Sequence, residues 1–420
     1  MKKMSLFLAI MMMVTVLGTA LSEEPTTVEA WLVQTADDSV LAQLQEEFNA
    51  THDDVKVNIT VMSWSTVREK IIAGLSTGEA GPDVFYIQNG LDQTMLEAGV
   101  LVPASEYMSS EEIGRYTEHI AINTYDGEIM ALPLSYYTGI FYYRNDILSD
   151  YGIETPPKTW DELYQTAEKI TTGSNGKVMG FQLKGADDHR GALHHTFLAL
   201  YGAAGGKLLD DQGYSKMNSP EGIETLEFLK KFFDNSVSEI GPSAVTGFAE
   251  GTIAMFHFNQ DVPGTNKWYT LEELANNWSA SLIPMGSVTN SGYLGGQAVA
   301  VNANSKNIQA AGTFAKWYAS PDNTPYFMAG TFGVSPYLQD KITPEQAQRI
   351  ADVINEHPEY WSVILESFEN TTVDLALEDR IAYNVRNQAM QSEFMSYFMG
   401  EISAEDALAN VDSRVDASLF

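Results

Sequence analysis

The 420-residue chain contains no cysteine. Disulfides, cysteine-containing zinc sites, iron–sulfur clusters, thiol nucleophiles and a lipid-accepting N-terminal cysteine are thereby excluded, so packing alone must hold the fold. Cations are scarce, with 24 Lys and Arg against 56 Asp and Glu and a net charge of -32. A broad nucleic-acid surface needs clustered cations and is excluded, and anionic membranes are disfavoured on the same ground. The acids are scattered, which reads as a solvated, self-repelling surface. Beyond residue 18 no apolar run approaches the length of a membrane span. The motifs G-x-S-x-G, P-loop and H-E-x-x-H are missing, as is any internal repeat.

Hydrophobic residues make up 44% and charged residues 19%, the composition of a globular chain. Lys2 and Lys3 precede an apolar run of 15 residues over 4–18, and small residues Ala20 and Ser22 stand just before Glu23. This pattern reads as a cleavable secretory signal peptide over 1–22. The run is short of the roughly 20 residues a span requires. The expectation is a soluble monomer exported to the periplasm or the extracellular space.

Strand and helix patterns then alternate. Residues 26–33, 55–61 and 83–87 read as strands, the second from alternating Val55, Val57, Ile59 and Val61. Residues 38–50, a segment capped by Ser63, and 92–98 read as helices. Further on, 128–132, 139–143, 253–258, 279–284 and 297–302 are strand-like. Thr159-Trp160-Asp161-Glu162 reads as a capping box, Ser219-Pro220-Glu221 as a helix start, and 308–318 as a helix. From 343 onward the chain is nearly all helical. This order predicts an α/β protein. The chain is too long for one core and has no linker, so two lobes joined by chain crossings are expected. The first lobe takes 23–134 and 289–336, the second 139–285 and 340–420. The crossings lie near 134–138, 285–289 and 336–340, and each lobe is a mostly parallel sheet flanked by helices.

Five motifs in order carry a resemblance. They are Gly78-Glu79-Ala80-Gly81-Pro82-Asp83-Val84; Ala131 to Ser135 with Phe141 to Asp146; Pro157 to Leu163; Phe248 to Met255; and Gly295-Gly296-Gln297 with Asn304-Ser305-Lys306. Together they resemble the extracellular solute-binding proteins of ATP-driven importers, in the maltose-binding-like sugar-binding branch. The resemblance spans almost the whole chain after residue 22. It implies a two-lobe periplasmic-binding-protein fold hinged at the crossings, no enzymatic activity, no cofactor, a sugar or oligosaccharide ligand, and the permease of an ABC-type importer as partner. Arg144 stands where that family usually carries Asn or Asp.

Candidate ligand contacts follow from the strand ends of an open α/β sheet. They are Gln34 after the first strand, Trp64 after the second, and Tyr86 and Asn89 at the third, where the resemblance also implies an aromatic and a polar contact. Tyr136 and Tyr137 lie in the first crossing, at the expected cleft floor. His257, Asn259 and Asp261 follow a strand of the second lobe and depart from the family's usual Gly and aromatic. Gly296, beside Gly295, allows close approach of a ligand, and Gln297 can read a hydroxyl. The resemblance also implies Tyr383 and His195. Core packing is the competing role for Tyr86, Tyr136, Tyr137 and Tyr383, and a helix-start contact for Trp64. The cluster Asp187, Asp188, His189, Arg190, His194 and His195 has poor metal spacing, so no metal site is expected. Two other readings stay open: a binding protein for another polar solute (a polyamine, glycerol phosphate or a metal chelate), and a secreted carbohydrate-active enzyme.

Overall fold

The computed structural model describes residues 24–33, 38–77, 81–183, 192–210, 212, 214–238, 244–274, 276–290, 292–371 and 383–419. The expected signal segment, Gln34 and residues 187–190 lie outside them, as do the side chains of Trp64 and Tyr383.

Nine strands form among the described residues: β1 (Thr26–Val33), β2 (Val55–Met62), β3 (Val84–Gln88), β4 (Thr124–Tyr125), β5 (Glu128–Ile129), β6 (Leu132–Arg144), β7 (Met255–Asn259), β8 (Trp278–Ser281) and β9 (Leu294–Val301). The main sheet runs β2-β1-β3-β9-β6-β7, with β8 also on β6. β1 pairs in parallel with β2 and β3, because a helix returns the chain over the sheet after each strand. The mostly parallel expectation fails beyond that point. β9 runs antiparallel to β3 and β6, and β7 and β8 run antiparallel to β6.

β6 is the structural spine. Its residues Leu132 to Thr138 pair with β9, and its residues Gly139 to Tyr143 pair with β7. One strand thus belongs to both halves of the molecule, and its partner changes between Thr138 and Gly139. A crossing was expected here, near 134–138, between the strand-like stretches 128–132 and 139–143. A register shift between Pro133 and Ser135 absorbs the proline, and the strand continues. Strand periodicity then sorts the side chains. Leu132 and Leu134 enter a core with Val28, Leu44, Phe48 and Phe314. Tyr136, Ile140 and Tyr142 enter another with Phe256, Trp268 and Trp361. Phe141 faces a third, with Phe181, Phe197 and Phe232. A fourth, with Val67, Phe85, Tyr86 and Leu96, covers the opposite face of the first half. Each half is therefore a sheet with apolar cores on both faces, and the two halves meet at the middle of β6.

Two other segments cross beside this point. Tyr136 exchanges backbone hydrogen bonds with Val334, at 2.9 and 2.8 Å. Leu294 opens β9 opposite Thr138. The fully buried Gln260 ties these pieces together. Its Oε1 accepts from Thr138 N at 2.7 Å, and its Nε2 donates to the carbonyls of Tyr136 at 3.1 Å and Phe332 at 2.6 Å.

Local signals explain most helices. Ser219 caps Pro220–Asp234 through Gly222 N, and Thr343 closes a reciprocal capping box with Gln346. At Trp160–Gly173 the box is only half made. Thr159 accepts from Glu162 N, but the Glu162 carboxylate takes Lys158 N at 2.7 Å instead. Arg144 also has a structural reason. It is buried, grips Asp146 with two bonds of 2.8 and 2.6 Å, and donates to the Phe248 carbonyl at 2.6 Å. Burial alone would raise the Asp146 carboxyl, but the hydrogen bonds and charge of Arg144 outweigh it and hold the pKa below its usual value.

Candidate functional site

The odd-numbered face of β6 carries Tyr137, Gly139 and Phe141, all buried, at the strand's change of partner. Opposite Gly139 lies the end of β7. The His257 ring packs directly across Gly139: a Cβ there would stand 2.3 Å from His257 Nε2 and 2.9 Å from Tyr293 Cε1. Glycine at 139 is therefore a condition for this ring placement. Tyr293 sits between two histidines, with ring centroids 5.0 Å from His195 and 6.0 Å from His257. His195 comes from the helix Ala192–Ala203 and also meets the ring of Phe258, at 5.4 Å. Sequence reasoning missed Tyr293, although it stands two residues before the Gly295-Gly296-Gln297 motif.

The electrostatics follow from burial. His257 is almost fully buried, and neither ring nitrogen has a hydrogen-bond partner among the described residues. Desolvation of the charged form pushes its pKa down to about 3, so it stays neutral. Asn259 leaves its Oδ1 without a partner among the described residues, while its backbone carbonyl accepts from the Tyr142 hydroxyl at 2.7 Å. Asp261 keeps some exposed surface, yet its carboxyl is poorly hydrated. Desolvation raises its pKa to about 6, against a smaller opposing bond from its own backbone N–H. The Tyr137 hydroxyl is pushed up mainly by burial and further by the nearby Asp261 and Tyr86. Gly295 pairs with Tyr137 across the β9–β6 ladder, and the space where its Cβ would point is open for 4 Å among the described residues.

Several candidates take a different place. Asn89 is spent inside the fold. Its Nδ2 donates to the Ser135 carbonyl at 2.9 Å, its Oδ1 accepts from Asn123 at 2.8 Å, and its backbone N–H donates to the Gly296 carbonyl at 3.1 Å. It pins the end of β3 to β6 and β9, and its amide is buried. Tyr136 is fully buried and packs on His119 and Phe368, because its even position turns it into the core. Tyr86 is packed with Phe85, Ile87 and Ala298 at the edge of the first half's core. Gly296 holds φ +138, and its Cα side is filled by the Ser135 carbonyl, so it serves close backbone packing rather than ligand approach. Gln297 is half-buried, paired with Gln88 and Ser135. The backbone of Trp64 opens the helix Trp64–Thr77, and that of Tyr383 opens Tyr383–Phe398. The structure thus gathers His195, His257, Asn259, Asp261 and Tyr137 around the middle of β6, and sets Asn89 and Tyr136 apart from them.

None of the gathered groups is Lys or Arg, and among the described residues no three His, Asp or Glu side chains are placed to hold a metal ion. What they present is aromatic and imidazole surface with amide and carboxylate acceptors. Such a lining packs against C–H faces and accepts from hydroxyls. The sequence profile of the bacterial extracellular solute-binding proteins matches residues 33–325. The chain belongs to this family.

A Brucella abortus binding protein is 26% identical to this solute-binding protein over 208 residues, 49% of each chain. This chain thus spans about half the length of the first curated relatives it matches. The diacetylchitobiose binding protein DasA of Streptomyces coelicolor is 27% identical over 323 residues, 74% of this chain and 73% of that one. Among solved structures, the GacH receptor of Streptomyces glaucescens, studied unliganded and with acarbose, has a TM-score of 0.78 at 20% identity. It covers 94% of this chain and 99% of that chain. The solute-binding protein described here has the same α/β periplasmic-binding-protein fold.

Proposed function

We propose that this protein captures a sugar or oligosaccharide in the cleft at the middle of β6 and delivers it to the permease of an ABC-type importer. It does so as an exported monomer whose signal segment ends near residue 22. One observation carries the reading: His195, His257, Tyr293, Asn259 and Asp261 converge where β6 passes from one half to the other. Ring faces with amide and carboxylate acceptors there suit a polyhydroxylated solute, and the absence of Lys or Arg among them disfavours a phosphate. Diacetylchitobiose for DasA and acarbose for the GacH receptor are in keeping with this class.

A thermal-shift screen tests it. A ligand that binds only the folded state at 100 times its Kd stabilises by about 2.7 kcal/mol. Malto-oligosaccharides or N-acetylated disaccharides are expected to raise the midpoint. Asp261→Asn is expected to weaken the winning sugar by about 1–3 kcal/mol through loss of a charged acceptor. A shift with glycerol phosphate or a polyamine and with no sugar would overturn the proposal.

A further inference from the structure

A cavity of about 680 Å³ opens on the second half, between β8 and the first turn of the helix Pro358–Asn370. The cavity lies across Tyr360 from the site at the middle of β6, for the Tyr360 hydroxyl donates to the Gln260 carbonyl at 2.6 Å. Its lining residue Tyr143 stands four residues beyond Gly139 on β6, about 13 Å along a strand. The volume is that of a small-molecule site, roughly 300–1,000 Å³.

Four aromatic side chains line it: Tyr143, Tyr269, Trp278 and Tyr360. They brace one another. Trp278 meets Tyr269 edge-on at 5.4 Å and Tyr360 at 5.5 Å. The His357 ring stacks on Tyr269 at 3.8 Å, and burial holds that imidazole toward its neutral form. The Tyr269 hydroxyl is buried without a hydrogen-bond partner among the described residues.

Charge completes the description. Glu356 and Glu359 are exposed on the cavity lining, with no ion pair among the described residues. No Lys or Arg lines it. Ring faces carry negative quadrupole density and attract a cation with an apolar body, and free carboxylates at the rim add to that attraction. An anion would meet two like charges, and a bare metal ion would gain little from the rings.

We propose that this cavity is a second binding site, specific for an organic ammonium ion and separated from the sugar cleft by Tyr360. Choline is the probe, and 3,3-dimethyl-1-butanol its neutral isostere. Calorimetry on the full chain is expected to show saturable choline binding and none of the alcohol. Glu356→Gln with Glu359→Gln should weaken choline about tenfold, the effect of losing some 1.4 kcal/mol. Glu46→Gln with Glu69→Gln, exposed acids of the first half, removes the same charge elsewhere and should leave choline binding unchanged. Three results would overturn the proposal: no saturable binding of choline, equal binding of the alcohol, or equal weakening in the Glu46/Glu69 pair, which would mark general attraction to an acidic surface.

Discussion

Gly296→Ala is expected to destabilise the fold by about 4 kcal/mol. Two costs combine. Gly296 holds φ +138, a backbone region nearly closed to side chains, and such strain costs about 1–3 kcal/mol. The new Cβ would also stand 2.2 Å from the Ser135 carbonyl oxygen and 2.5 Å from Asn89 Nδ2. The first neighbour is backbone in the β6–β9 ladder and cannot swing aside, so overpacking adds about 1–3 kcal/mol. Gly295→Ala is the internal control. Nothing lies within 4 Å of its Cβ position among the described residues, so a change within about 0.5 kcal/mol is expected. Urea midpoints followed by circular dichroism decide it. Equal midpoints for the two variants would refute the close packing of β9 on β6.

Stability should also fall in acid through His257. The folded chain keeps this imidazole neutral down to about pH 3, whereas an unfolded histidine takes up its proton near pH 6.5. Between those values the unfolded state binds more protons, so stability rises with pH across the window and is fully present above about 6.5. At 1.36 kcal/mol per pH unit the loss approaches about 5 kcal/mol below pH 3. Asp261 works in the opposite sense. Its folded pKa is raised to about 6, so the folded state holds the extra proton between the ordinary carboxylate value and 6, and this contribution weakens as pH rises. The two therefore partly cancel between about pH 4 and 6. His257→Met removes the first and leaves the second. The difference between wild-type and variant unfolding free energies should change steeply from pH 6.5 to 4. A difference independent of pH would show that His257 is hydrated or paired in the folded chain.

Much of the fold was legible because local signals agreed with tertiary demands. Residues 26–33 and 308–318 read at the bounds observed for β1 and for the helix Ile308–Tyr318. The crossing expected near 134–138 is continuous strand, because a register shift lets the ladder carry on past Pro133. Strand direction after each crossing was not legible, since the return path of the chain sets it and no periodicity records it. The first crossing pointed to Tyr137 and the end of a second-lobe strand to Asn259, and the fold sets both beside the middle of β6. Sequence alone could not tell which side chains turn inward. Tyr136 and Tyr137 are adjacent, chemically alike and both buried, and only their parity on β6 sends them to opposite faces of the strand. Asn89 looked like a hydroxyl reader, but its partners Asn123 and Ser135 are 34 and 46 residues away. Gln260 drew no notice as a lone glutamine, yet it joins three backbone segments that only the fold brings together.

The central claim is that a solute bound at the middle of β6 draws the two halves together. Small-angle X-ray scattering, with and without a saturating sugar chosen by the thermal-shift screen, tests it most directly. The radius of gyration should decrease on binding, because a ligand held by both halves favours the closed arrangement by its differential affinity. An unchanged radius, with calorimetry proving that the same sugar is bound, would contradict the account.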